Sequence, residues 1–104
     1  MNKNILAASV LAVTAGLASS QDIVKIGHVA GITGPVAYFG KDTENATRMA
    51  IEHLNARGTT IAGRKVTFQL VAEDDAGDPK QATSVAQKLV DAKVNGVIGH
   101  QTSG

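Results

Sequence analysis

The sequence has 104 residues, 43% of them apolar and 18% charged, with ten Lys and Arg against nine Asp and Glu. That length accommodates one small domain, and an apolar content near the globular average argues against general disorder. Three aromatic residues, no Trp, no Cys and scattered basic residues exclude a base-stacking platform, a basic stripe for nucleic acid, a disulfide framework, a thiolate metal site and a lipidated cysteine anchor.

Residues 1–20 read as an address rather than as part of the fold. Lys3 supplies a short positive region, an uncharged apolar run extends from Ile5 to Leu17, and the small residues Ala18, Ser19 and Ser20 follow. This is the layout of a secretory signal peptide, with Ala18 and Ser20 at the −3 and −1 positions for cleavage before Gln21. The run is shorter than the roughly 20 apolar residues that span a bilayer. Cleavage would remove Lys3 and leave equal numbers of acidic and basic residues in a chain working outside the cytoplasm.

Residues 21–104 alternate strand and helix signals. Ile23–Ala30, rich in Val and Ile, reads as a strand, and Gly31, Gly34 and Pro35 form the loop behind it. A helix is expected from about Lys41 to Ala56, with Ala46, Met49, Ala50, His53 and Leu54 as its inward stripe, Asp42 and Glu44 near its N-terminus, and Arg57 and Gly58 at its end. Thr59–Gly63 reads as a turn. Lys65–Glu73 is the second strand, in which Val66, Phe68 and Leu70 alternate with Thr67 and Gln69.

The second helix has the clearest start. Asp78 is the N-cap, Pro79 takes the first helical position, and Gln81 stands where a capping box needs it. Ala82, Val85, Ala86, Leu89 and Val90 form its apolar stripe. Val97–Gly99 is a short buried strand. The βαβαβ pattern implies an α/β fold with a parallel sheet, and strand order 2-1-3 puts the helices on opposite faces. A switch point then lies between the first and third strands, where ligands bind outside the carboxyl ends.

The chemistry in those loops is modest. Gly27, Gly31, Gly34 and Gly40 match neither the dinucleotide nor the P-loop fingerprint, and Pro35 removes an N–H from any phosphate cradle. Glu73, Asp74, Asp75 and Asp78 lack EF-hand spacing and read as structural carboxylates. His28, His53 and His100 show no paired metal-ligand spacing, though His100 borders the expected cleft. No metal or cofactor is expected. Thr102 and Ser103 follow the last strand, where hydroxyls and free N–H groups suit either a helix cap or an anion such as a carboxylate; the two roles can coexist. No G-x-S-x-G nucleophile motif is present.

Four stretches together carry a resemblance: GITGPVAYFG, LNARG, IAGRKVTFQLVAEDDAGDPKQA and VNGVIGH. Most specific are the DD-x-x-DP-x-x-A segment (Asp74, Asp75, Asp78, Pro79, Ala82) and the G-P-x-A-x-x-G loop (Gly34, Pro35, Ala37, Gly40). In this order they resemble the periplasmic solute-binding proteins of branched-chain amino-acid ABC importers, over essentially all of residues 22–104. The resemblance implies part of the N-terminal lobe of a type I periplasmic binding protein: a two-lobed receptor, monomeric at full length, that is no enzyme and delivers a small solute to a membrane permease. It implies that Ser103 holds the ligand α-carboxylate, that Gln101 and Thr102 line the pocket, and that Phe39, or else Tyr38, contacts the ligand.

Two departures bear on these expectations. Amino-acid binders of this family often carry Tyr where Phe39 stands, which keeps binders of amides, urea or aromatic acids in view. The family's paired cysteines near the acidic stretch are absent, with Gly77 in that loop. The rest of the first lobe and all of the second lie outside these residues, so the expectation is a partial product that does not bind solute tightly alone. A sensory receptor domain on the same fold is the alternative. A dinucleotide-dependent enzyme lacks its glycine fingerprint, and a receiver domain would carry its acidic pair after the first strand rather than the second.

Overall fold

In the computed structural model, which describes residues 21–103, the sheet is built around β1 (Asp22–Ala30). Strand β3 (Arg64–Asp74) runs parallel to β1 along its whole length, from Asp22 opposite Val66 to Ala30 opposite Asp74. On the other side β4 (Gly96–Ile98) pairs in parallel through Ile26, Gly27 and His28. A central parallel strand is covered on both faces, which is why β1 is apolar almost throughout and why His28, Val29 and Ala30 at its carboxyl end are buried. The order of these three strands is the expected 2-1-3. The signal segment expected over residues 1–20 lies outside the described residues.

The turn expected at Thr59–Gly63 contains a further strand, β2 (Thr59–Ile61), antiparallel to β3, so the sheet is mixed and four-stranded in the order β2-β3-β1-β4. Its two-residue connection, Ala62 and Gly63, has φ of 51° and 77°. Two successive positive φ values match the right-handed twist of a hairpin. Where β2 stops, Asn55 continues the edge: its side chain accepts from Phe68 N–H at 2.8 Å and donates to Phe68 C=O at 2.9 Å.

Helix α1 (Ala37–Arg57) begins four residues before the expected Lys41, so Tyr38, Phe39 and Gly40 lie in its first turn, while Asp42 and Glu44 come after it. Its N-cap position is Val36, which has no side-chain acceptor to offer; the turn is closed instead by Gly40 N–H to Val36 C=O at 3.1 Å. The inner face also differs from the expected stripe. Gly40 and Ile51 are buried and Glu44, Thr47 and Leu54 half-buried; Ala46 and Ala50, though exposed, line an apolar cavity against Ile26 and Phe68 of the sheet, while Met49 and His53 are exposed. Gly40 sits so close to the Gly31 carbonyl that no side chain fits there, and this contact fixes the rotation of the helix.

Helix α2 (Pro79–Asp91) follows its sequence signals closely. The Asp78 carboxylate accepts from Gln81 N–H at 3.2 Å. The capping box is not closed, because Gln81 donates its side-chain amide to Asp74 C=O at 2.9 Å and Asp78 N–H donates to Asp75 C=O. Val85 and Leu89 are buried with Val29 in the core, beside Val71 and Val94, whereas Val90, expected on the stripe, is exposed. Burial of each such aliphatic side chain contributes about 1.5–3 kcal/mol. Val29 and Val71 alternate with Ile26, Phe68 and Leu70 along their strands, so α2 and α1 cover opposite faces.

Beyond α2, Asn95 locks onto β1 from both sides. It donates its N–H to Lys25 C=O at 2.8 Å and accepts Lys25 N–H on its side-chain oxygen at 2.9 Å. The Lys25 ammonium also reaches Ala92 C=O at 3.2 Å, near the end of α2 where a positive charge complements the dipole. These bonds set the register in which β4 meets β1.

Candidate functional site

Parallel pairing brings three chain segments to one edge: the loop after β1, the loop after β3 and the tail after β4. The adjacent carboxylates Asp74 and Asp75 tie them together in different directions. Asp74 accepts from Ile32 N–H at 2.7 Å, from the Thr33 hydroxyl at 2.6 Å, from Ala76 N–H at 2.8 Å and from Thr33 N–H at 3.3 Å. Burial alone would raise its pKa, but the Thr33 hydroxyl and the N–H groups of Ala76, Ile32 and Thr33 outweigh burial and hold it below the ordinary carboxylate value.

Asp75 faces the other way and is 2% exposed. One oxygen accepts from Gly77 N–H at 2.9 Å; the other lies 3.2 Å from His100 Nδ1. Its own N–H donates to Ala30 C=O. A carboxylate can only accept, so the His100 Nδ1 carries the proton of this bond. The acidic cluster is thus largely structural: Asp74 secures a loop, Asp75 secures a loop and a histidine, and Asp78 caps a helix. Among the described residues no group of His, Cys, Asp or Glu is arranged to hold a metal ion.

Between the N-terminal half of α2 and the tail after β4 lies an open cavity of about 510 Å³, lined in part by Asp75, Asp78, Thr83, His100, Thr102 and Ser103. Thr83, Thr102 and Ser103 bring hydroxyl-bearing side chains to its lining, beside the first turn of α2 and the partial positive charge of the helix start. Such a wall can hold a small polar or anionic group by hydrogen bonds.

The four sequence candidates separate here. Thr102 and Ser103 line the cavity. Gln101 is half-buried, with its side-chain oxygen enclosed and without a partner. Phe39 is elsewhere: it is 53% exposed in the first turn of α1, its ring 4.2 Å from that of Tyr38, and it does not line this cavity. The Asp75–His100 contact was not foreseen as a pair. Its signal is the register, since Ala30 opposite Asp74 and His28 opposite Ile98 carry the next residues of β3 and β4 past the edge on either side of β1.

A mixed sheet with three parallel strands, helices on both faces and hydroxyl-bearing residues at its carboxyl edge has the layout of a small-molecule-binding class of domain. Residues 23–104 match the family model described as periplasmic binding protein, and the chain belongs to that family. It is 42% identical over 81 residues to the Leu/Ile/Val-binding protein BraC3 of Rhizobium johnstonii, covering 78% of this chain and 21% of that protein. It is 39% identical over 101 residues to the Leu/Ile/Val-binding protein of Escherichia coli K12, covering 97% and 26%.

Two of the similar solved structures carry a bound solute. One is the branched-chain amino acid transporter substrate binding protein LivJ of Streptococcus pneumoniae in complex with isoleucine, with TM-score 0.71 and 30% identity over 79% of this chain and 23% of that one. The other is a solute binding protein of an ABC transporter from Rhodopseudomonas palustris BisB5 in complex with 3,4-dihydroxy benzoic acid, with TM-score 0.59 and 34% identity over 74% and 20%. The chain therefore spans about a quarter or less of the length of these relatives.

Proposed function

We propose that this chain supplies one wall of the solute site in an extracytoplasmic binding component of an ABC importer, for branched-chain or related amino acids. The observation that carries the reading is the placement of Thr102 and Ser103 on the cavity at the carboxyl edge, in a family whose relatives are Leu/Ile/Val-binding proteins. The Ser103 hydroxyl, with Thr102 and neighbouring N–H groups, donates to the solute carboxylate; Gln101 lies in the segment behind it; Phe39, exposed in the first turn of α1 outside this cavity, offers an aromatic face to a solute that extends beyond it. The role is binding and delivery to a membrane permease, without catalysis or cofactor, and the compartment is the periplasm, reached through the segment 1–20.

A second reading shares the same chemistry. The Rhodopseudomonas palustris relative holds an aromatic acid, and Phe39 lacks the hydroxyl of a tyrosine. Leucine and a dihydroxybenzoate both present a carboxylate, so the same rim serves either. Amide-resolved NMR titration of the full chain tests both. Millimolar leucine, isoleucine or valine is expected to shift Thr102 and Ser103, and leucinamide, which lacks the carboxylate, is not. Shifts confined to 3,4-dihydroxybenzoate favour the second reading, and unmoved rim amides with all of these overturn the proposal.

A further inference from the structure

We infer that His100 is a positioning residue, and that the buried Asp75 carboxylate holds the solute rim in place through its ring. The inference rests on the proposed function only in taking Gln101–Ser103 as that rim. Beyond Ile98 the tail has left the sheet, and no ladder bond to β1 holds it. Gly99 passes tightly over the Val29 carbonyl, at φ 131°, where a Cβ would clash with that oxygen. The next residue is His100, whose Nδ1–H reaches Asp75 Oδ2 at 3.2 Å.

Asp75 is a rigid anchor. Its carboxylate is buried and accepts from Gly77 N–H, its N–H donates to Ala30 C=O, and its C=O accepts from Asp78 N–H at 2.8 Å. It cannot follow a moving tail, so the tail is held to it. The His100 side chain is about one-third exposed and lies outside the Val29, Val85 and Leu89 core. It lines the cavity together with Thr102 and Ser103, and the other carboxylate on that wall, Asp78, is engaged in capping α2. The ring thus links an immobile carboxylate on one strand end to the hydroxyls on another.

The ligand-free full chain tests this by ¹⁵N relaxation and ring-nitrogen spectroscopy. His100 is expected in the Nδ1–H tautomer. Gln101 and Thr102 amides are expected to be ordered in the native chain, with order parameters near 0.85, and to fall below about 0.6 in His100→Ala while Val85 and Leu89 do not change. His100→Asn places an N–H close to the position of Nδ1 and is expected to restore most of the order; a purely bulk-filling role would not be rescued this way. An Nε2–H tautomer, or rim amides equally ordered in native and His100→Ala chains, overturns the inference. No solute is present, so failure here leaves the carboxylate-binding reading to its own titration.

Discussion

Gly40, in the first turn of α1, faces the Gly31 carbonyl at the end of β1 so closely that a Cβ on Gly40 would overlap that oxygen. The contact is backbone against backbone, so no rotamer change relieves it. It sets where the helix begins and which of its faces meets the sheet. Gly40→Ala is therefore expected to destabilise the chain by about 3 kcal/mol, at the upper end of the cost of overpacking. Urea unfolding measures this. A loss under about 0.5 kcal/mol, the scale of an ordinary surface substitution, would show that the helix can shift without cost.

Asp74 joins two strand ends, and its replacement leaves Ile32, Thr33 and Ala76 N–H groups without their acceptor. Asp74→Ala is expected to cost about 2–3 kcal/mol, in the range for hydrogen bonds to a charged group. Its folded pKa lies below the unfolded value, so the stabilisation is present above about pH 4 and is lost as pH falls through the folded pKa. The native chain should lose stability in that window and Asp74→Asn should lose less. Parallel acid titrations of the two would refute the assignment.

His28 is 2% exposed, and its Nδ1 has no partner. Burial pulls its pKa below the ordinary histidine value, and the negative charge of Glu44 opposes this without reversing it. The folded state therefore resists the proton that the unfolded state accepts. Stability is full above about pH 6.5 and declines as pH falls from there, by at most about 1.4 kcal/mol per pH unit for one proton. Urea midpoints between pH 7.5 and 5 check this, and His28→Leu should flatten the slope over that range. An unchanged slope would place the titration on another group.

Leu89 contacts the position of Gly27 and packs with Val29 and Val85. Leu89→Ala is expected to cost about 2–4 kcal/mol through lost burial and the cavity left behind. Asp78→Ala removes only the acceptor for Gln81 N–H and is expected to cost about 1 kcal/mol. Equal losses in thermal unfolding would contradict the description of α2 as a helix held mainly by its core face.

Local signals were enough where the chain stated its own boundaries. Asp78-Pro79 announces α2 because a cap and a pre-set φ act within one turn, and the β-branched run of β1 announces a central strand. The start of α1 was illegible because Val36 caps nothing; a tertiary contact made by Gly40 begins that helix. The inward stripe was legible only in part: Ala46, Ala50 and Leu54 line the cavity between α1 and the sheet, while the seating of Gly40 also brings Thr47 and Ile51 to that side and leaves Met49 exposed. Strand β2 was hidden because Ala62-Gly63 is not a typical type I′ pair.

Order along the chain was sufficient to put Thr102 and Ser103 at the carboxyl edge, since residues following a parallel strand emerge at its carboxyl end whatever the packing. Their partners were another matter. That Asp74 turns to the loop after β1 while Asp75 turns to His100 depends on which neighbours the sheet register supplies, and Phe39, expected in the loop, lies in the first turn of α1 because that helix starts early. Periodicity and caps act over a few residues and can be read from a string; the direction of a side chain across 25 or 40 residues is decided only when the strands align.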